Sequence, residues 1–177
     1  MKEIERLKYP TGRFKAPKEY TDELRESFIS GIEETPFYLR QAVENLDEDQ
    51  LNTPYREGGW TVKQVVHHLP DSHMNALIRY KLALTENEPT IKTYKEDAWA
   101  ELEDYVTTPV DISLNLLETV HIRWVILLKS MSQEQFKRKM NHPEVGIIDL
   151  NWLLAQYAWH GKHHIAQIDS LKERMGW

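Results

Sequence analysis

The sequence predicts an all-α protein, a four-helix bundle with a small β-hairpin ahead of the last helix. Three observations predict it. Four long stretches place apolar residues at helical spacing. Start and stop signals bracket them. The chain has 177 residues with 41% hydrophobic content, enough for one domain with a real core. A single domain over residues 1–177 is the expected organisation.

Residues 1–18 contain Tyr9-Pro10-Thr11-Gly12 and Ala16-Pro17, which read as an irregular N-terminal arm laid on the body. The first helical pattern starts at Thr21, with Leu24, Phe28, Ile29 and Ile32 on one face. Pro36 is expected to kink it or to open a second piece carrying Leu39, Val43 and Leu46. Asp47 to Gln50 adds a short turn, and Gly58-Gly59 breaks the chain. Thr61 with Gln64 three residues on forms a capping box, flanked by Trp60 and Val65 as a hydrophobic staple. The helix that follows should reach about Thr85, interrupted by Pro70, whose ring bends it beside a histidine pair.

Residues 86–109 look loop-like, with a short helical piece around Asp97–Tyr105. A third long helix spans roughly Asp111–Met131, with Leu114, Leu117, His121, Trp124, Val125 and Leu128 on one side. Lys137–Met140 and Val145–Ile148 flank Asn141-His142-Pro143-Glu144 as a hairpin. Asp149 caps the last helix, about 150–174, and Gly176 ends it. The connections after the second and third helices are long, so simple up-down-up-down order need not hold.

The last helix carries the chemistry. Its core stripe reads Leu150, Leu153, Leu154, Tyr157, His160, Gly161, His164, Ile168 and Leu171. His160 and His164 stand one turn apart where a bundle buries apolar side chains. Two buried imidazoles without partners cost several kcal/mol. A shared divalent metal removes that cost, since each ring gives it a lone pair. His163 points about 100° away, toward the surface. Gly161 fits close approach of another helix. A third ligand is available at His67 or His68, which flank their own stripe on opposite sides, so the helical wheel leaves the choice open. His73 and His121 sit on apolar stripes as core residues, in reserve as ligands or pocket donors. Asp71 and Glu118 are the helix carboxylates near these histidines, and a solvated role suits both. No HExxH motif is present.

Composition narrows the chemistry. With no cysteine, disulfides and thiolate sites are excluded, so a metal must be held by His, Asp or Glu. Twenty-eight acidic against 22 basic residues give a net charge of −6, which argues against a nucleic-acid partner. No segment approaches a membrane span and no secretory signal opens the chain. A cytoplasmic protein is expected.

Gly58-Gly59-Trp60-Thr61-Val62-Lys63-Gln64-Val65-Val66-His67-His68-Leu69, followed by Asp71-Ser72-His73-Met74-Asn75, resembles the DinB/YfiT-like metal-binding proteins. Trp159-His160 with His163-His164-Ile165-Ala166, Arg174-Met175-Gly176-Trp177 and Tyr9-Pro10-x-Gly12 look the same way. The resemblance runs from end to end and is strongest to the YfiT-type members. It implies a four-helix bundle with one metal on three histidines, which match His68, His160 and His164. The family departs from this chain at Pro70, where it more often has a small residue such as Ala. The resemblance further implies zinc or nickel, a homodimer, and a metal-dependent hydrolase activating water. The alternative it offers is an S-transferase joining bacillithiol or a similar low-molecular-weight thiol to electrophiles. Asp71, His121 and Tyr157 are the groups to test for proton handling. A non-catalytic metal-binding bundle, with Trp99, Trp152 and Trp177 as an aromatic partner surface, is the remaining reading.

Overall fold

A computed structural model describes residues 2–177. Four long helices form the body: α2 (Asp22–Val43), α4 (Val62–Thr85), α7 (Val110–Ser130) and α9 (Leu150–Met175). Short helices α1 (Lys2–Lys8), α3 (Glu48–Leu51), α5 (Glu96–Trp99), α6 (Glu103–Thr107) and α8 (Gln133–Phe136) decorate the connections. Strands β1 (Lys139–His142) and β2 (Gly146–Asp149) form an antiparallel hairpin, with Met140 opposite Ile148. None of the described helices is long and apolar enough to cross a membrane.

The start signals act as the sequence predicts. Thr61 Oγ1 accepts from the Gln64 amide at 3.1 Å, and the Gln64 side chain returns a bond to the Thr61 amide. Asp49 lies inside α3, whose own capping box pairs Asp47 with Gln50. Asp149 caps α9, and Gly176 closes it at φ 72°, a left-handed conformation that glycine adopts without strain.

Four expectations change. The N-terminal arm contains helix α1, built from good helix formers whose two apolar positions are too few to show a period. Pro36 does not open a second helix, since α2 is continuous through it. Helix α4 likewise runs unbroken through Pro70. The single piece around Asp97–Tyr105 is two short helices, α5 and α6, separated at Ala100–Leu102.

The packing order around the bundle is α2–α9–α4–α7, closing back on α2. Thus α4 and α7, consecutive in sequence, are neighbours, while α2 sits diagonally across from α4. Long connections allow this order. The buried apolar residues fall into two clusters. One holds Ile32, Tyr80, Trp124, Leu128, Met140 and Leu153. The other holds Leu39, Val62, Val66, Leu69, Leu117 and Ile168. Helices α2 and α9 touch closely at Gly161, where an added Cβ would lie 2.7 Å from the Thr35 side chain. The close approach expected at this glycine is therefore real, and it belongs to the slab that holds the histidines.

Candidate metal centre

Helices α4 and α9 lie side by side. Their apolar stripes carry histidines at matching depth, so the rings meet. His68 Nε2 lies 3.3 Å from His160 Nε2, and His164 Nε2 lies 3.2 Å from the same atom. One ring nitrogen from each of the three residues falls within 4.8 Å of the others. Nitrogens about 2.05 Å from a tetrahedral ion stand about 3.3 Å apart. The two edges that run to His160 match that length. His68 and His164 are buried, while His160 is partly open to a cavity of about 990 Å³. Trp60 walls the cluster, 4.7 Å between ring centres from His68 and stacked near His164.

Two hydrogen-bond relays fix which nitrogens carry protons. The first begins at a proline. Pro36 has no amide N–H, so the Ile32 carbonyl one turn earlier lacks its helical donor. His121 Nδ1 donates to that carbonyl at 2.6 Å. A neutral His121 then accepts at Nε2 from His73 Nδ1, 2.7 Å away. His73 Nε2 in turn accepts from His160 Nδ1 at 3.1 Å. His160 is left with a bare lone pair on Nε2. The second relay starts at the Lys8 carbonyl, which accepts from Gln167 Nε2 at 3.0 Å. That orients Gln167 Oε1 toward His164 Nδ1 at 2.9 Å. His164 must donate there, so its Nε2 is bare as well. Two lone pairs 3.2 Å apart with no proton between them repel, and a cation between them turns the repulsion into ligation. The donor set therefore fits a divalent ion.

The rings are held neutral. Burial pushes His68 down to about 4, and burial with neighbouring imidazoles pushes His160 and His164 well below the ordinary value. Neutral imidazole is the ligating form. His68 Nδ1 is buried and has no hydrogen-bond partner, so this ring, unlike the other two, is oriented by packing against Trp60.

Two histidines outside the cluster are also buried. His163 is buried, not on the surface. Tyr9 of the N-terminal arm and Trp159 of α9 stack on its ring, and Gln167 donates to its Nε2. His67 is buried too, beneath Tyr105 of α6, with Nδ1 2.7 Å from Ser113 Oγ. A wheel of the long helices contains neither tyrosine. Of the proton-handling candidates, only Tyr157 lines the cavity. Its hydroxyl donates to the Ser72 carbonyl at 3.2 Å, and burial raises its pKa. His121 lies away from the cavity, reaching the cluster through His73. Asp71 accepts from Tyr105 Oη at 2.6 Å and does not line the cavity. Glu118 stays at the surface, 3.7 Å from Arg40. Trp152 is no open docking surface, since it packs on the core and against Phe14.

Sequence reasoning missed His73 as the orienter of His160, Gln167 as the orienter of His164, and Arg79 in the cavity wall. Gln167 was discoverable, because it sits one turn beyond His163 and next to His164 on α9. His73 and His121 could be placed on stripes but not against each other.

Comparison with known proteins agrees with this picture. The four-helix bundle protein TT2238 shares 18% identity over 86% of this chain and 99% of its own, with a TM-score of 0.55, a likeness of fold. YfiT from Bacillus subtilis, described as a probable metal-dependent hydrolase with an unusual four-helix bundle topology, is 50% identical. It covers 97% of this chain and 99% of its own, with a TM-score of 0.95. Proteins of Bacillus cereus (strain 03BB102) and Bacillus thuringiensis subsp. konkukian, both named "Putative metal-dependent hydrolase", are 53% identical over 97% of this chain and 98% of theirs. The family model of the DinB superfamily matches residues 32–168, a span that includes both relays' histidines and all three clustered rings, and the chain belongs to the DinB superfamily.

Proposed function

We propose that the protein is a metal-dependent hydrolase in which His68, His160 and His164 hold one divalent ion, zinc or nickel. The observation that carries this reading is the pair of bare Nε2 lone pairs on His160 and His164, 3.2 Å apart at the floor of a large cavity. Bound there, such an ion supplies Lewis acidity, lowering the pKa of water toward neutrality and polarising a carbonyl. The names borne by relatives at 50–53% identity support the same reaction class.

The chain's own residues prepare that chemistry. His73 and His121 hold His160 in the ligating tautomer. Gln167 does the same for His164. Such outer partners raise ligand basicity and fix ring orientation. Tyr157 stays protonated near neutral pH, because burial disfavours the phenolate, and with its proton on the Ser72 carbonyl it offers the cavity wall a neutral oxygen acceptor. Trp60 and Trp159 place apolar surface in the cavity wall.

The test is metal analysis of the purified protein, with hydrolysis assayed on esters and amides, in wild type and His160→Ala. One ion per chain and hydrolysis in wild type, both lost in the variant, are expected. Consumption of a low-molecular-weight thiol with an alkylating acceptor, and no hydrolysis, would assign the site to thiol transfer instead. Full activity after metal removal overturns both.

A further inference from the structure

One charge in the cavity has no use in the account above. Arg79 lies on α4 on the same face as His68 and Ser72, spaced four and then seven residues. Its side chain is buried at 8% exposure and lines the cavity. No carboxylate of the described residues comes within 4.0 Å of its guanidinium. Its protein contacts are long: Nη1 to Tyr157 Oη at 3.4 Å and Nη2 to the Lys92 carbonyl at 3.4 Å. Its Nε is buried with no partner. Glu96 and Glu144 line the same cavity without pairing with it.

A buried, unpaired guanidinium is costly. Two long neutral contacts do not repay that cost. Its planar fork matches an oxyanion in two parallel bonds. We infer that Arg79 binds an oxyanionic group of the substrate, a carboxylate or a phosphate, while the scissile end of the same molecule lies at His68, His160 and His164. This rests on the hydrolase reading for the identity of the scissile end, though not for the anion site. Eleven residues of helix rise about 16 Å, and the side chain leans back toward the helix N-terminus. The two ends of the substrate are thus on the order of 10 Å apart. The class implied is a small acid carrying an ester or amide several bonds from its anionic group.

The test is calorimetric titration with glutarate, inorganic phosphate and neutral glutaramide. It uses metal-loaded wild type, Arg79→Met, Arg79→Lys and His160→Ala. Wild type should bind one of the two anions at least about tenfold more tightly than glutaramide, and which one identifies the oxyanion. Arg79→Met should weaken that anion about ten- to hundredfold, with a melting temperature equal to or above wild type, since the unpaired buried charge is gone. Arg79→Lys should recover only part of the affinity, because it keeps the charge and loses the fork. His160→Ala should retain the anion preference even though it loses metal, so failure of the hydrolase reading and failure of the anion site are separable. Equal anion binding by Arg79→Met and wild type overturns the inference. So does an anion preference that disappears in His160→Ala but persists in Arg79→Met, which would place the anion on the ion.

Discussion

Four histidines share one slab of this bundle, yet they divide into two kinds. His73 and His121 have both ring nitrogens engaged within hydrogen-bond distance of protein groups. His160 and His164 each have one nitrogen so engaged and the other turned toward a like lone pair. The difference lies in where the donor–acceptor chains end. A chain that starts on a backbone carbonyl must hand on a proton at every ring, and its last ring finishes with a lone pair. Four imidazoles on apolar stripes look alike in sequence. What separates an inert core histidine from a ligand is its position along such a chain.

The strongest way to break this comparison is to remove a terminal ring. His160→Ala should reduce bound metal from about one equivalent per chain to near none, measured by elemental analysis. Circular dichroism should retain its helical signal, because both apolar clusters remain. Chelation of wild type should lower the melting temperature, since an ion bound only by the folded state stabilises it, by about 4 kcal/mol at a thousandfold excess over Kd.

Acid titrates both kinds of ring, and in metal-free protein the sign is set by burial. His68 and His121 sit at about 4 against an ordinary 6.5, as does His163. Below about pH 6.5 the unfolded chain takes up these protons and the fold does not. Stability is therefore full above that pH and declines as the pH falls toward 4. The slope is at most roughly 1.4 kcal/mol per pH unit for each ring. Urea melts at pH 7.5, 5.5 and 4.5 check it, and a flat profile would mean the rings are not held neutral by the fold.

The first relay can be cut without touching a ligand. His121→Phe removes the acceptor for His73 and frees His160 to adopt the other tautomer. Metal affinity should fall about ten- to hundredfold, measured by chelator competition. Nitrogen NMR of His160 should show mixed tautomers. Unchanged affinity would make the His73–His121 pair a packing feature alone.

The mildest test concerns the slab's geometry. Gly161→Ala drives a methyl into Thr35, a stiff β-branched side chain. Overpacking of this kind costs about 1–3 kcal/mol, and each kcal/mol lowers the melting temperature by about 2–4 °C at this chain length. Metal affinity should fall by less than in His121→Phe.

Much of this was legible in the residues. The capping boxes, the cap at Asp149, the left-handed Gly176 and the hairpin after Phe136 are local signals, and local physics kept them. His160 and His164 stood out because two polar rings interrupted one apolar stripe. His68 needed the family resemblance, since its wheel position alone matched that of His67. The burial of His163 and His67 was not legible, because Tyr9 of the arm and Tyr105 of α6, which close over them, lie far away in sequence. The relays were hidden for the same reason. Periodicity says which face a side chain occupies but not which atom it meets across a diagonal packing order.

Pro36 carries a consequence for anyone engineering this protein. Replacing a mid-helix proline with alanine is an ordinary route to thermostability, and here the new amide would compete for the Ile32 oxygen that anchors His121. A screen scored on heat resistance would accept such a change and quietly discard a remote determinant of the metal's grip. The useful group at that position is a hydrogen the residue does not have.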